Sequence, residues 1–299
     1  MSDLIDISTF PVNLVLDQLL KDRTTGENIL FATDAYEELS PKFGEKCQIA
    51  ADMLTSGELK ICPRVEKEFE AQRLRQRTKA EVFTPSWIVN KMNNHCDAEW
   101  FGEIGLFNQE TDTGWIVNPM PIHFRRGLSW KKYVDSRRLE ITCGEAPYLV
   151  SRYDTVTGAI IPVANRIGIL DRKLRVVTEK AKTEEEWLEW SFRAFKSVYG
   201  YEFQGDNLLV ARINLILTFV DYMSKYWGRF PTKEEVCSLT NIVVWNIWQM
   251  DGLTKMTPFN ALPVSLQFEL FDDNSALQKC NFNYCKVYDW QLNKECILS

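Results

Sequence analysis

The chain has 299 residues, of which 45% are hydrophobic and 25% charged, with a formal net charge of -6. This composition excludes a disordered chain and a compact basic coat for nucleic acid, while leaving room for a local basic face. No apolar run approaches the ~18 residues of a membrane span, so no membrane association is expected. The eight cysteines include no Cys-x-x-Cys pair, and no secretory apolar core opens the chain. Free thiols in a reducing, cytoplasmic setting are expected. Cys280 and Cys285 have no second pair or nearby histidine to complete a zinc set. His95 and His123 are the only histidines, which excludes a multi-histidine metal site. The length fits two domains, or one large α/β domain with a subdomain.

Residues 11–22, "PVNLVLDQLLKD", have helical spacing with a proline at the start, where its missing N–H costs little. Residues 64–80 form a charged helical run that ends in a basic cluster, Arg73, Arg75, Arg77 and Lys79. That cluster is either a solvated helix face or a phosphate-contacting edge. In "EVFTPSWIVNKM", 81–92, Thr84 is placed to cap a helix with Pro85 at its first position, and Ile88, Val89 and Met92 form an apolar stripe. Residues 97–137 read as loops with short strands.

"RLEIT", 138–142, is the first strong strand, followed by the lone glycine of "CGEAPYL". Over 162–178, Val163, Ile167, Leu170, Leu174 and Val177 recur at helical spacing, with Pro162 at the start and Asp171 facing solvent. Residues 184–197 are an amphipathic helix and 198–203, "VYGYEF", a second strand. A long apolar helix follows, capped by Asp206 or Asn207. Thr232 and Glu235 have capping-box spacing. Residues 241–251, "NIVVWNIWQMD", read as a third buried strand, and 286–290 as a further strand in an irregular tail.

Strands thus alternate with helices, and each of three strands ends at a polar group: Glu140 with Gly144, then Glu202, then Asp251. In open parallel α/β sheets, ligands bind beyond the carboxyl ends of the strands. A carboxylate there can accept both hydroxyls of a ribose, and a glycine turn lets the backbone approach a ligand closely. Cys143 reads as a small buried residue rather than a nucleophile. Trp245 and Trp248 read as core or partner contacts.

These motifs, in this order, resemble the N6-adenine-specific DNA methyltransferases of bacterial restriction–modification systems, which use S-adenosylmethionine. The resemblance spans residues 64 to 255. It rests on "EVFTPSWIVNKM", the corner "EITCGEAPYL", the block "YGYEFQGDNLLVARINL" and "WQMDGL". It implies a Rossmann-like α/β methyltransferase fold at 81–260, after an N-terminal mainly helical subdomain at 1–80 and before an irregular tail at 261–299. It further implies that Thr84 and Pro85 approach the methionine end of the cofactor. Glu140, Cys143, Gly144, Glu145 and Ala146 would surround its amino-acid part, Glu202 would bind the ribose and Asp251 the adenine. DNA is the implied partner.

Two departures from the family pattern stand out. Where the family has Gly-x-Gly, this chain has Gly144-Glu145-Ala146-Pro147. A left-handed alanine costs about 1 kcal/mol or more, and Pro147 restricts the residue before it to extended conformations, so the loop is expected to differ locally. Glu145 either pairs with the cofactor's amino group or weakens its binding. The second departure is the missing catalytic motif, Asn/Asp-Pro-Pro-Tyr/Phe, which holds a flipped-out base. "NPMP" at 118–121 and "TPFN" at 257–260 do not supply it. The sheet is therefore expected to be incomplete at the C-terminus, with the other half on a second polypeptide or lost by truncation. A non-catalytic interaction or DNA-associated subunit with the same fold is the alternative, and a truncated remnant a third.

Overall fold

The computed structural model describes residues 4–79, 83–260 and 284–298. Its first helix, α1 (Val12–Leu19), buries Val12, Val15, Leu16 and Leu19 along one stripe, with Pro11 immediately before it. An irregular stretch leads to α2 (Ala51–Thr55) and then α3 (Phe69–Lys79). Helix α4 (Ser86–Phe101) starts directly after Pro85 and stops at Gly102, whose φ of 69° is left-handed and closes the helix onto the Ala98 carbonyl. Its cap is not Thr84: the Ser86 N–H donates to the remote carboxylate of Asp154 at 2.8 Å. Strands β1 (Asn108–Glu110) and β2 (Trp115–Val117) form an antiparallel hairpin, followed by α5 (Trp130–Asp135).

The central sheet is parallel and runs in the order β3 (Arg138–Glu140), β4 (Val198–Glu202), β5 (Ile247–Gln249). Arg138 pairs with Val198, Glu140 with Gly200, and Glu202 with Gln249. Parallel neighbours need crossover connections. Here α6 (Ile169–Lys180) and α7 (Glu184–Lys196) connect β3 to β4, and α8 (Gly205–Trp227) and α9 (Lys233–Asn246) connect β4 to β5. Strands β6 (Lys286–Asp289) and β7 (Lys294–Ile297) make a terminal antiparallel pair, which contains the strand expected at 286–290. Residues 261–283, including Cys280 and most of the tail expected to be irregular, lie outside the described residues. The structure is thus mixed α/β, and a single hydrophobic cluster runs from Ile5 to Ile247, crossing position 80.

Several local expectations change. The helix expected across 162–178 is split: a 3-10 turn covers Val163–Asn165, and α6 begins only at Ile169. The break is held by Ser151, whose Oγ accepts the N–H groups of Ile167 and Gly168. A Cβ at Gly168 would meet the Leu149 carbonyl oxygen at 2.3 Å, so only glycine fits there. Asp171 does not face solvent. It is fully buried, and its Oδ2 accepts from the Ser151 N–H and hydroxyl. Helix α6 is enclosed on several sides: Arg172 reaches Asp97, Asn90 and Asn94 on α4, and Lys173 donates to the Val134 carbonyl and the Ser197 hydroxyl. A helix surrounded in this way buries its polar face as well as its apolar one.

The third strand is also shorter than its β-branched run implies. The Thr232–Glu235 capping box starts α9, which absorbs Ile242, Val243 and Val244 and ends only at Asn246. These residues are buried, so packing overrides their strand propensity. Asn246 marks the change of direction, its Nδ2 donating to the carbonyls of Phe195 and Val198 at 2.9 Å each. Helix α8 has Gln204, not Asp206 or Asn207, at its cap position; both expected residues lie in its first turn, where the Asp206 Oδ1 accepts the Asn207 N–H at 2.9 Å.

Arg212, in the "ARINL" block on α8, is fully buried. It donates to the carbonyls of Leu19, Lys21, Ile247 and Val244, which ties the end of α1 to α9 and β5. Arg212→Met should strand these buried acceptors and lower the unfolding free energy by about 3 kcal/mol. Urea denaturation measures this, and Arg212→Lys, with one donor head, should recover only part of the loss.

Candidate functional site

A cavity of ≈ 800 Å³ opens at the C-terminal ends of β3 and β4. The corner after β3 forms its floor. Strand β3 stops because Thr142 takes a φ of 45°; Gly144 follows at 53° and Ala146 at 63°. The Cys143 N–H still donates to the Tyr201 carbonyl, and the Ala146 N–H closes back on the Cys143 carbonyl at 2.7 Å. A Cβ on Gly144 would only touch the Phe83 ring at 3.5 Å, so it is the left-handed backbone that calls for glycine there. Gly200 on β4 sits in a tight space, where a Cβ would lie 3.2 Å from the Cys143 Sγ and its neighbours would have to give by a few tenths of an ångström. Ala146 takes the left-handed conformation despite preceding Pro147. Its strain, about 1 kcal/mol or more, is offset by its carbonyl, which accepts from Leu149 and Val150.

Two carboxylates hold this corner from the cavity side. Glu202, at the end of β4, accepts the Gly144 N–H at 2.9 Å on one oxygen and the Gln204 N–H at 3.1 Å on the other. Glu140, at the end of β3, accepts the N–H groups of Tyr148 and Leu149. Burial pushes Glu140 up to about 8, against the pull of these two donors and with a further push from Glu202. Burial also raises Glu202 above its ordinary value. Cys143 is buried among these groups, and burial first, then the two glutamates, drives its thiol far up. It is therefore held protonated, as an inert packing residue.

The expected site residues fall into two groups. Thr84, Glu140, Cys143, Gly144 and Glu202 all line the cavity. Pro85, Glu145, Ala146 and Asp251 are not among its lining residues. Glu145 is buried with its carboxylate turned inward, accepting the Tyr153 hydroxyl at 2.7 Å and the Arg64 N–H at 2.5 Å. Its backbone carbonyl accepts from Asn214, another residue of the "ARINL" block, which also donates to the Tyr153 hydroxyl. Asp251 lies two residues beyond β5 and turns its Oδ1 onto the N–H groups of Leu253 and Thr254, a local turn.

Other lining residues were not singled out for the site. Met92, Asn93 and Cys96 come from α4, Phe203, Gln204 and Asn207 from the segment after Glu202, and Ala32 and Glu45 from the N-terminal region. Met92 stood in the apolar stripe after Thr84, and Gln204 and Asn207 in the "YGYEFQGDN" block. Ala32 and Glu45 belong to a stretch with no motif. Among the described lining residues are three acids, Glu45, Glu140 and Glu202, and one basic residue, Arg138. In their ionised forms these carboxylates favour a ligand with a cationic group and oppose a phosphate.

Asp206 fastens the N-terminal region to the rim. It is fully buried, lies 2.9 Å from both Lys67 Nζ and Arg75 Nη1, and accepts the Tyr36 hydroxyl at 2.9 Å. Burial opposes its ionisation, but Lys67 and Arg75 outweigh burial and hold it well below the usual carboxylate range. Arg75 also donates to Gln204, which lines the cavity. Among the described residues, no cluster of His, Cys, Asp and Glu is arranged to hold a metal, and no helix is long and apolar enough to cross a membrane.

No protein family, curated protein or solved structure matches the chain. The chemistry of the site is therefore read from its own geometry.

Glu140 sets a pH dependence. Its value rises from 4.5 in the unfolded chain to about 8 in the fold. Its stabilising contribution is complete below 4.5 and is lost as pH rises through the folded value. Urea unfolding should therefore show stability falling between about pH 5 and 8, by at most ~5 kcal/mol at 1.36 kcal/mol per unit. Glu140→Gln, permanently neutral, should flatten that slope even where its absolute stability is lower.

Proposed function

We propose that the chain binds S-adenosylmethionine and is the cofactor-binding portion of a DNA adenine-N6 methyltransferase of the restriction–modification kind. The observation that carries this is the contact between Glu202 and Gly144. A carboxylate at the end of one parallel strand is bonded to the glycine corner at the end of its neighbour, and both line one cavity. That is the arrangement a nucleoside ligand needs, with a close backbone approach beside an acceptor for ribose hydroxyls. The acidic lining supports a cationic sulfonium ligand over a phosphorylated nucleotide.

Within this frame the chain's residues bind and orient. Each Glu202 oxygen accepts one backbone N–H, and a carboxylate offers about four acceptor positions in all, so capacity remains for two hydroxyls. Glu140 and Glu202 both hold their protons more tightly than free carboxyls. A bound cation favours their ionised forms, so ligand entry is coupled to proton release. When bound, the cofactor supplies an electrophilic methyl group.

The residues that would present an adenine amine are proposed to lie outside this sequence. The sequence contains no Pro-Pro pair, and β4 is the only partner of β3 among the described residues. Leu139 and Ile141, beside that open edge, are 55% and 64% exposed. Such an edge is suited to accepting a further strand. The missing motif equally favours a second reading, a non-catalytic DNA-associated subunit that keeps the fold. The two separate on reconstitution: a partner chain carrying Asn-Pro-Pro-Tyr restores methyl transfer only under the first.

Calorimetric titration tests the cofactor assignment. Wild-type protein should bind S-adenosylmethionine and release protons near pH 7, seen as a heat that varies with the ionisation enthalpy of the buffer. Glu202→Ala should weaken binding roughly tenfold or more, the range for hydrogen bonds to a charged group. Glu202→Gln, which retains an acceptor for the corner, controls for folding. Absence of binding by folded wild-type protein would rule the assignment out.

A further inference from the structure

The basic helix α3 has no role in holding the proposed cofactor, yet its orientation is tightly set. Its sequence, "FEAQRLRQRTK", carries Arg73, Arg75, Arg77 and Lys79 against one acid, Glu70. Arg75 is turned inward: it is 3% exposed and pairs with Asp206 and Gln204 at the cavity rim. Residues two apart on a helix are separated by about 200° of turn. Burying Arg75 therefore drives Arg73 and Arg77 outward together, and both are exposed. Four residues apart, they share one face with about 6 Å of rise between them. The guanidinium of Arg73 lies over the ring of Phe69, 5.6 Å from its centroid, and Phe69 is itself 67% exposed.

We propose that this outward face of α3 contacts nucleic acid, seating a DNA backbone beside the cavity mouth. A duplex carries a phosphate every ~3.4 Å along each strand, so arginines spaced by about 6 Å meet phosphates one or two nucleotides apart. An exposed aromatic ring held by an arginine is the surface on which an unpaired base stacks. The exposed large apolar residues of α3, Phe69 and Leu74, are five positions apart, about 140° round the helix. They make no continuous apolar stripe, which argues against a membrane surface or a hydrophobic groove as the occupant. The placement also serves the cavity: α3 is pinned through Arg75 to Gln204, and the chain re-enters the cavity wall at Phe83. The choice of DNA as the polyanion rests on the proposed function.

The test is fluorescence anisotropy of a labelled DNA duplex and of its single strand with the full chain, between about 50 and 200 mM salt. Wild-type protein should bind with a steep salt dependence. Arg73→Glu with Arg77→Glu should weaken binding at least tenfold and reduce the log–log salt slope by about two, at ~0.9 for each phosphate no longer neutralised. Phe69→Ala should affect the single strand more than the duplex. Because all three side chains are exposed, the melting temperature should stay close to wild type. Equal DNA binding by wild type and the double variant would overturn the assignment, as would arginine-dependent binding to phosphatidylserine vesicles without binding to DNA. Titration with S-adenosylmethionine separates the two proposals. DNA binding abolished in the double variant with no cofactor binding in either protein supports the helix assignment and fails the cofactor one. Cofactor binding with unchanged DNA binding does the reverse.

Discussion

The bond from the Gly144 N–H to the Glu202 carboxylate joins residues 58 positions apart, and the cavity takes its shape from it. Parallel pairing of β3 with β4 brings the two strand ends side by side. Each strand then turns away through a corner whose backbone groups need partners. A buried N–H without an acceptor is costly, and Glu202 supplies that acceptor for both corners. Glu140 performs the same service for the chain just beyond the glycine. The carboxylates are thus structural first. Their presence in the cavity wall, with raised affinity for protons, makes the same groups responsive to a cation.

The N-terminal region is part of this arrangement. Tyr36, Lys67 and Arg75 converge on Asp206, and Ala32 and Glu45 contribute to the cavity wall. Gln249 on β5 exchanges hydrogen bonds with the backbone of Leu30 in both directions, and Arg212 binds the carbonyls at the end of α1. A buried cation serving several carbonyls is hard to replace, because each acceptor it leaves would stay unsatisfied. The "ARINL" block is explained by this packing: Arg212 joins α1 to the sheet, and Asn214 braces the loop that carries Glu145.

The acidic cavity and the basic helix at its rim are complementary. A small cationic ligand is suited to the first and a polyanion to the second, and the buried pair of Asp206 with Arg75 lies between them. Charge is thus segregated over a short distance in a chain whose net charge is -6. Net charge alone therefore says little about partners here, because the local field at each surface is set by which side chains the fold turns outward.

Much of the scaffold was legible in the sequence. The capping box at Thr232, the amphipathic spacing of α1 and α7, and the strands at 138 and 198 are local signals that depend on nearest neighbours along the chain. Glu140, Gly144 and Glu202 were legible as a group because each stands at a strand end, and the parallel order brings strand ends together. What stayed hidden was decided by contacts distant in sequence. Asp171 is buried because α4 and Ser151 enclose α6. The run from Ile242 to Val244 is helical because its neighbours pack it that way. Glu145 faces Tyr153 and Arg64 rather than the cavity, and Asp251 spends its carboxylate on a turn. The sequence by itself therefore determined which elements form and where their polar ends lie. Only the tertiary structure decided where each carboxylate points, because a side chain is directed by the donors that surround it, and those donors come from remote parts of the chain.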